Sequence, residues 1–293
     1  MDFLKQKKGF LGYDLNTEIE NKVIIVPFGL EKSVSYGGGT KNAPKEIIKA
    51  SHQVELFDEK LKKEPYKYIG IKTLKSFPIK KNLKEAINQL SLINKKIISK
   101  NKLPLVLGGE HSLTPGSIKP LAEKYNELTI LHFDAHADLR EEYEGENFSH
   151  ACAIKRCLDF DNVKVVSLGI RNISESEMKF YNNNRDRIEI FWSKDKKKWD
   201  LNNLKKFFNQ KNVYITFDVD SFDSSIMPAT GTPEPGGLLW DDVLTILKKV
   251  CQMSNITGVD INELAPIKNF NSYNFLVAKL AYKILSYTFE FKS

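Results

Sequence analysis

The stretch L-T-I-L-H-F-D-A-H-A-D, residues 128–138, decides how this chain is read. Its first half is apolar and partly β-branched, as a buried strand should be. Its second half carries Asp134, His136 and Asp138 at two-residue spacing. In extended backbone, residues i, i+2 and i+4 point to one side, so the spacing predicts that two carboxylates and an imidazole converge. A second stretch, V-Y-I-T-F-D-V-D at residues 213–220, repeats the pattern and ends in Asp218 and Asp220. Four aspartates crowded in a low-dielectric cleft cannot all stay ionised, because like carboxylates raise one another's pKa. Two divalent cations would balance them. A third apolar run, residues 103–107, leads into G-G-E-H-S and adds His111; four of the five histidines fall between residues 111 and 150.

Aspartate and histidine without thiolate suit a hard-to-borderline cation such as Mn²⁺ better than structural zinc. Cys152, Cys157 and Cys251 are odd in number and lack C-x-x-C spacing, which argues against a disulfide framework or a thiolate site. The 293 residues can bury a large core, and no composition shift or linker marks a boundary, so one domain, 1–293, is expected. The N-terminal M-D-F-L-K-Q-K-K-G-F has no apolar signal core and no run reaches membrane-spanning length, so a cytoplasmic protein is expected. The net charge of +7 could suit nucleic acid. Lysine is, however, spread along helical segments, and the densest run, residues 194–198, contains Asp195 and reads as a solvated turn in a connecting segment. Neither a nucleic-acid nor a membrane partner is expected.

Strand and helix signals alternate along the chain. Strands are expected at residues 23–28, 68–72, 103–107, from 128, and at 163–168, 188–191, 213–217 and 256–261. Helices are expected at 83–98, 118–125, 151–158, 175–181, 201–208, 240–251 and 273–287, with another opening at Ala43-Pro44. Repeated crossovers of this kind require an α/β fold: a single three-layer domain whose mostly parallel central sheet is flanked by helices. The candidate ligands then sit at carboxyl ends of strands, where open α/β sheets place their sites.

With these pieces in order, the sequence resembles the ureohydrolase family, which includes arginase and agmatinase. The resemblance is carried by G-G-E-H-S at 108–112, D-A-H-A-D at 134–138, D-V-D-S-F-D at 218–223, G-T-P-E-P-G-G at 231–237 and D-I-N-E-L-A-P at 260–266. The run D-L-R-E-E-Y-E-G-E-N-F-S-H-A, residues 138–151, looks most like the agmatinase branch. The resemblance implies an arginase-like fold, two Mn²⁺ per subunit and a trimeric or hexameric homo-oligomer. By the same resemblance one metal is held by His111, Asp134, Asp138 and Asp218, the other by Asp134, His136, Asp218 and Asp220, with Asp134 and Asp218 bridging.

Read alone, Glu263 is a helix-start or solvent-facing glutamate. In the family a glutamate of this motif meets the substrate guanidinium, whose fork of donors matches a carboxylate. His150 matches the family's catalytic histidine, a group whose pKa suits it to pass a proton to the departing amine. His132 is expected to be a satisfied core histidine or one that supports a ligand, and Asp260 a carboxylate that supports a ligand or the fold rather than binding metal. Glu110 stands where many members have aspartate and is expected to support the site without binding metal. Ser224 replaces a common proline.

The resemblance implies hydrolysis of a small cationic guanidino compound, with agmatine, giving putrescine and urea, as the leading substrate. Arginase-type sites carry an asparagine where this chain has Arg140, which favours a substrate lacking the α-amino acid group; Arg140 could also receive the carboxylate of 4-guanidinobutyrate. Glu142, among the glutamates that follow Arg140, and Thr232 of the 231–237 motif are the remaining candidates for the substrate tail. A metal-stabilised homologue without activity is the non-enzymatic alternative.

Overall fold

In a computed structural model, which describes residues 1–13 and 19–291, eight strands form one all-parallel sheet. They are β1 (Val23–Phe28), β2 (Ile71–Thr73), β3 (Leu103–Gly108), β4 (Leu128–Phe133), β5 (Val163–Ile170), β6 (Ile188–Trp192), β7 (Asn212–Asp218) and β8 (Asn255–Asn262). The order across the sheet is β2-β1-β3-β8-β7-β4-β5-β6. The last strand in the chain therefore lies in the middle of the sheet, between β3 and β7. Residues 14–18, 292 and 293 of the expected 1–293 domain lie outside the described residues.

Every residue of β1, β3 and β4 is buried, as strands covered on both faces must be. Alternate side chains enter opposite cores. Ile25, Leu105, Leu131 and Ile215 pack into the core shared with α1 (Ala43–Ser51), α8 (Trp240–Met253) and α9 (Ser272–Glu290). Ile24 and Val106 meet α3 (Leu83–Ile98) on the other face. Ile130 and Val165 meet α4 (Thr114–Ala122), α5 (Ala153–Cys157) and α6 (Glu175–Asn183) on that same side. Shorter helical pieces at Tyr66–Ile69 and Lys205–Phe208 complete the order.

Several expected boundaries move for local reasons. The strand expected at 68–72 is divided: Tyr66–Ile69 is one helical turn, Gly70 takes a φ of +62°, and only Ile71–Thr73 is extended. The helix expected from 118 begins at Thr114, because Pro115 suits a first turn. The helix expected at 151–158 starts as a 3-10 turn, His150–Cys152, and becomes α-helical only over Ala153–Cys157. Likewise 201–208 opens with the 3-10 turn Leu201–Leu204, and the lysine run lies in a 3-10 segment, Ser193–Lys198, with Lys194, Lys197 and Lys198 exposed.

Candidate metal centre

The four central strands, β3, β8, β7 and β4, end on one side of the sheet, and residues at or just beyond those ends build the site. His111 follows β3, residues 134–138 follow β4, Asp218 ends β7 with Asp220 in the next turn, and Glu263 follows β8. Only part of this arrangement is the expected extended pattern. β4 stops at Phe133, and Asp138 turns back with a left-handed φ of +52°. Asp218 accepts the Asp220 N–H at 2.8 Å, which starts a 3-10 turn instead of continuing the strand.

The structure brings all six proposed ligands together. Around His111 Nδ1 lie Asp134 Oδ2 and Asp138 Oδ2, each at 3.0 Å, and Asp218 Oδ2 at 3.6 Å. His136 Nδ1 lies 2.9 Å from Asp220 Oδ2 and 3.6 Å from Asp134 Oδ1. Asp134 belongs to both groups that could hold an ion, one with His111, His132 and Asp138, the other with His136 and Asp220. His132 is held on both ring nitrogens, by Ser167 Oγ at 2.9 Å and Asp134 Oδ2 at 2.8 Å, so it orients Asp134.

This donor set fits a cation. His111 Nδ1 is buried without a hydrogen-bond partner, although carboxylate oxygens approach within 3.0 Å off the line an N–H would need. Its Nε2 lies 2.8 Å from Thr216 Oγ1, whose own proton goes to Asp260 Oδ1 at 2.6 Å. That chain leaves Thr216 as the acceptor of an Nε2–H and aims the Nδ1 lone pair at the carboxylates, the outer support that metal-binding histidines need. Asp260 also accepts from Tyr214, Thr114 and Asn262, so it anchors the His111 ring through Thr216.

Charge in the site is finely opposed. Burial, with the Asp220 and Asp134 carboxylates, pushes Asp218 well above the usual carboxylate range. Burial and Asp134 also raise Asp138. Against burial, which alone would lower it, Asp134 and Asp138 hold His111 well above its ordinary value. Against burial too, Asp220 and Asp134 push His136 up to about 12. A ring that ligates through Nδ1 must give up the proton there, so metal competes with protons for these histidines. Affinity for a divalent cation is therefore expected to fall as pH falls, and binding to release protons. Titration calorimetry at pH 7.5 in buffers of different ionisation enthalpy measures that release; a heat independent of buffer would contradict it.

A cavity of about 290 Å³ opens above these groups and is also lined by Arg140, His150, Thr232 and Glu263. Glu263 is buried, has a φ of +65°, and accepts the His111 N–H at 2.6 Å. His150 stands edge-on to Tyr143, ring centroids 5.7 Å apart. Arg140 lines the cavity with its guanidinium over the Tyr143 ring at 5.3 Å and Nε 3.7 Å from Glu177. Glu142 is not brought to the cavity. It is exposed, on a segment whose preceding residue, Glu141, turns outward to pair with Lys155 and Arg156.

Some supporting residues carried no signal in the sequence. Glu177 closes a capping box with Ser174 and also accepts the Leu139 N–H at 3.0 Å beside the ligand loop. Arg171 donates to the carbonyls of Gly169, Asp220, Phe222, Glu234 and Pro235, lashing two of the motif loops together. Asp223 joins the same loops. Hydrogen bonds from the Ser225 hydroxyl and from the N–H groups of Ser225, Gly237 and Gly236 draw its carboxyl down to about 2.

A sequence model described as the arginase family matches residues 21–286. The chain is 31% identical over 275 residues to the N(1)-aminopropylagmatine ureohydrolase of Synechocystis sp., covering 90% of this chain and 88% of that one. It is 32% identical over 260 residues to the agmatinase of Bacillus cereus, covering 85% of each. Among solved structures, the agmatine ureohydrolase of Thermoplasma volcanium superposes with a TM-score of 0.83 at 28% identity, over 92% of this chain and 91% of that one.

Proposed function

The chain belongs to the arginase family, as a hydrolase acting on guanidino compounds, and from that premise we infer that it is an agmatinase, converting agmatine to putrescine and urea with two Mn²⁺. The observation that carries the substrate reading is Glu263. Burial first, and then the neighbouring Glu110 charge, raises its pKa well above the ordinary value. A permanently protonated guanidinium offsets both effects and matches the carboxylate's geometry.

His111, Asp134, Asp138 and Asp218 would hold one cation, and Asp134, His136, Asp218 and Asp220 the other. Bound there, divalent cations supply the Lewis acidity that lets water act as a nucleophile near neutral pH. The chain's own residues do the rest. Glu263, in the cavity lining, orients the guanidinium. His150, half-buried at the cavity wall, carries a proton to the departing amine.

The tail end of the cavity supports agmatine over a substrate bearing a carboxylate. Arg140 is the cation that a carboxylate tail would seek, and it is engaged by Glu177 and by the face of Tyr143. Thr232, half-buried in the lining, offers a hydroxyl to a primary ammonium. N(1)-aminopropylagmatine, which lengthens that cationic tail, is a second reading, favoured by the name of the Synechocystis relative.

Urea release from agmatine, N(1)-aminopropylagmatine, arginine and 4-guanidinobutyrate tests this. Agmatine is expected to have the highest kcat/KM. A preference for 4-guanidinobutyrate that Arg140→Ala abolishes would overturn the agmatinase reading and leave the metal site standing. A homo-oligomer, trimeric or hexameric, and a cytoplasmic location belong to the same proposal. No described helix is long and apolar enough to cross a membrane. Light scattering on the purified protein measures the assembly.

A further inference from the structure

One buried carboxylate fastens the loop at residues 31–33 to the turn after β3. Glu110 is fully buried and accepts four hydrogen bonds. The N–H groups of Lys32 and Ser33 reach Oε2 at 2.6 and 2.7 Å, and the hydroxyls of Ser33 and Ser112 reach Oε1 at 3.1 and 2.6 Å. Four donors fill the lone-pair sites of a carboxylate. Gly109 permits the approach, since a Cβ there would stand 2.0 Å from the Leu30 carbonyl oxygen.

Ser33 is also a neighbour of His150. Its Oγ accepts the His150 backbone N–H at 3.0 Å and lies 3.3 Å from ring Nδ1. A serine hydroxyl has one proton to give. The Glu110 carboxylate takes it as the stronger, charged acceptor, so Ser33 meets His150 with lone pairs only. A ring nitrogen facing those lone pairs is stable when it bears hydrogen.

We propose that Glu110, acting through Ser33, is a positioning residue that keeps the neutral His150 ring in its Nδ1–H form, so that Nε2 takes up and delivers the proton during turnover. The role of Nε2 rests on the reading of His150 as proton carrier. Ser149 Oγ, also 3.3 Å from Nδ1, is the competing partner, because its hydroxyl could donate to a bare Nδ1 and fix the opposite tautomer. An Nδ1–H is acceptable to both serine oxygens; a bare Nδ1 satisfies Ser149 and faces the lone pairs of Ser33. The Glu110 bond therefore decides between the two.

The test is spectroscopic and kinetic. With only five histidines in the chain, His150 is identified in two-bond ¹H–¹⁵N spectra of Mg²⁺-loaded, histidine-labelled protein by its loss in His150→Asn. At a pH where the ring is neutral, Nδ1 is expected to show the protonated shift and Nε2 the lone-pair shift. Ser33→Ala should move the ring toward Nε2–H, Ser33→Thr should restore it, and Ser149→Ala should leave Nδ1–H in place. In Mn²⁺-loaded protein, Ser33→Ala is expected to lower kcat about tenfold, within the share that positioned acid-base groups carry, with KM and metal content unchanged. Ser33→Ala should have no further effect in the His150→Asn background, as residues acting in one chain are not additive. A wild-type ring found as Nε2–H, or an equal loss from Ser33→Ala with and without His150, would overturn the proposal. Should no guanidino compound be hydrolysed, the agmatinase reading fails while the ¹⁵N shifts still decide the tautomer.

Discussion

Asp134→Ala is expected to abolish divalent-cation binding in both halves of the site and, on the agmatinase reading, to lower urea release on the order of a thousandfold or more, the scale set by losing an activated nucleophile. The reason is geometric. Asp134 Oδ2 lies 3.0 Å from His111 Nδ1 and its Oδ1 3.6 Å from His136 Nδ1, so the carboxylate belongs to both groups. Both oxygens are held in place, Oδ2 by His132 and Oδ1 by the His136 N–H at 2.6 Å. Asp138 approaches His111 but is absent from the His136 group, so Asp138→Ala should weaken one half and spare the other. Elemental analysis after dialysis reads the difference, with circular dichroism to show that each variant is folded. Two tightly held ions in Asp134→Ala would refute the shared-carboxylate reading.

His150→Asn is expected to retain both metals and a near-normal KM while kcat falls roughly a hundredfold or more, the usual range for a positioned acid-base group. A proton carried to the leaving amine matters in the transition state, so its loss should appear in kcat and in kcat/KM alike. The structure makes the variant tolerable. His150 is half-buried, and what fixes its backbone is the N–H bond to Ser33, which asparagine keeps. Unchanged turnover across the pH range would remove His150 from the reaction.

Strand and helix signals alternating along the chain made the parallel sheet readable, and the runs at 128–138 and 213–220, apolar and then acidic at two-residue spacing, made the convergence of aspartates readable. Strand order was not readable from those runs, since pairing partners lie far apart in the chain: β8 pairs with β3 across some 150 residues, and no local feature encodes that. Nor was the left-handed turn at Asp138, where the demands of the cluster outweigh the steric preference of an L-residue. Glu142 and its acidic neighbours read as a single cluster in one dimension. In space Glu141 is spent on Lys155 and Arg156, and Glu177, 36 residues beyond Glu141 in the helix that follows β5, lines the cavity.

Placing β8 in the middle of the sheet has a consequence for the order of events during synthesis. His111 and Glu263 are joined by a bond spanning 152 positions, and Glu263 in turn donates its N–H to Gly109 at 2.7 Å. A nascent chain can complete the strands from β4 to β6 early, yet the gap between β3 and β7 stays open until β8 leaves the ribosome. Capture of a divalent cation is therefore expected only after β8 has joined the sheet. Pulse-labelled chains arrested before residue 255 should fail to retain Mn²⁺ at concentrations that saturate the released protein.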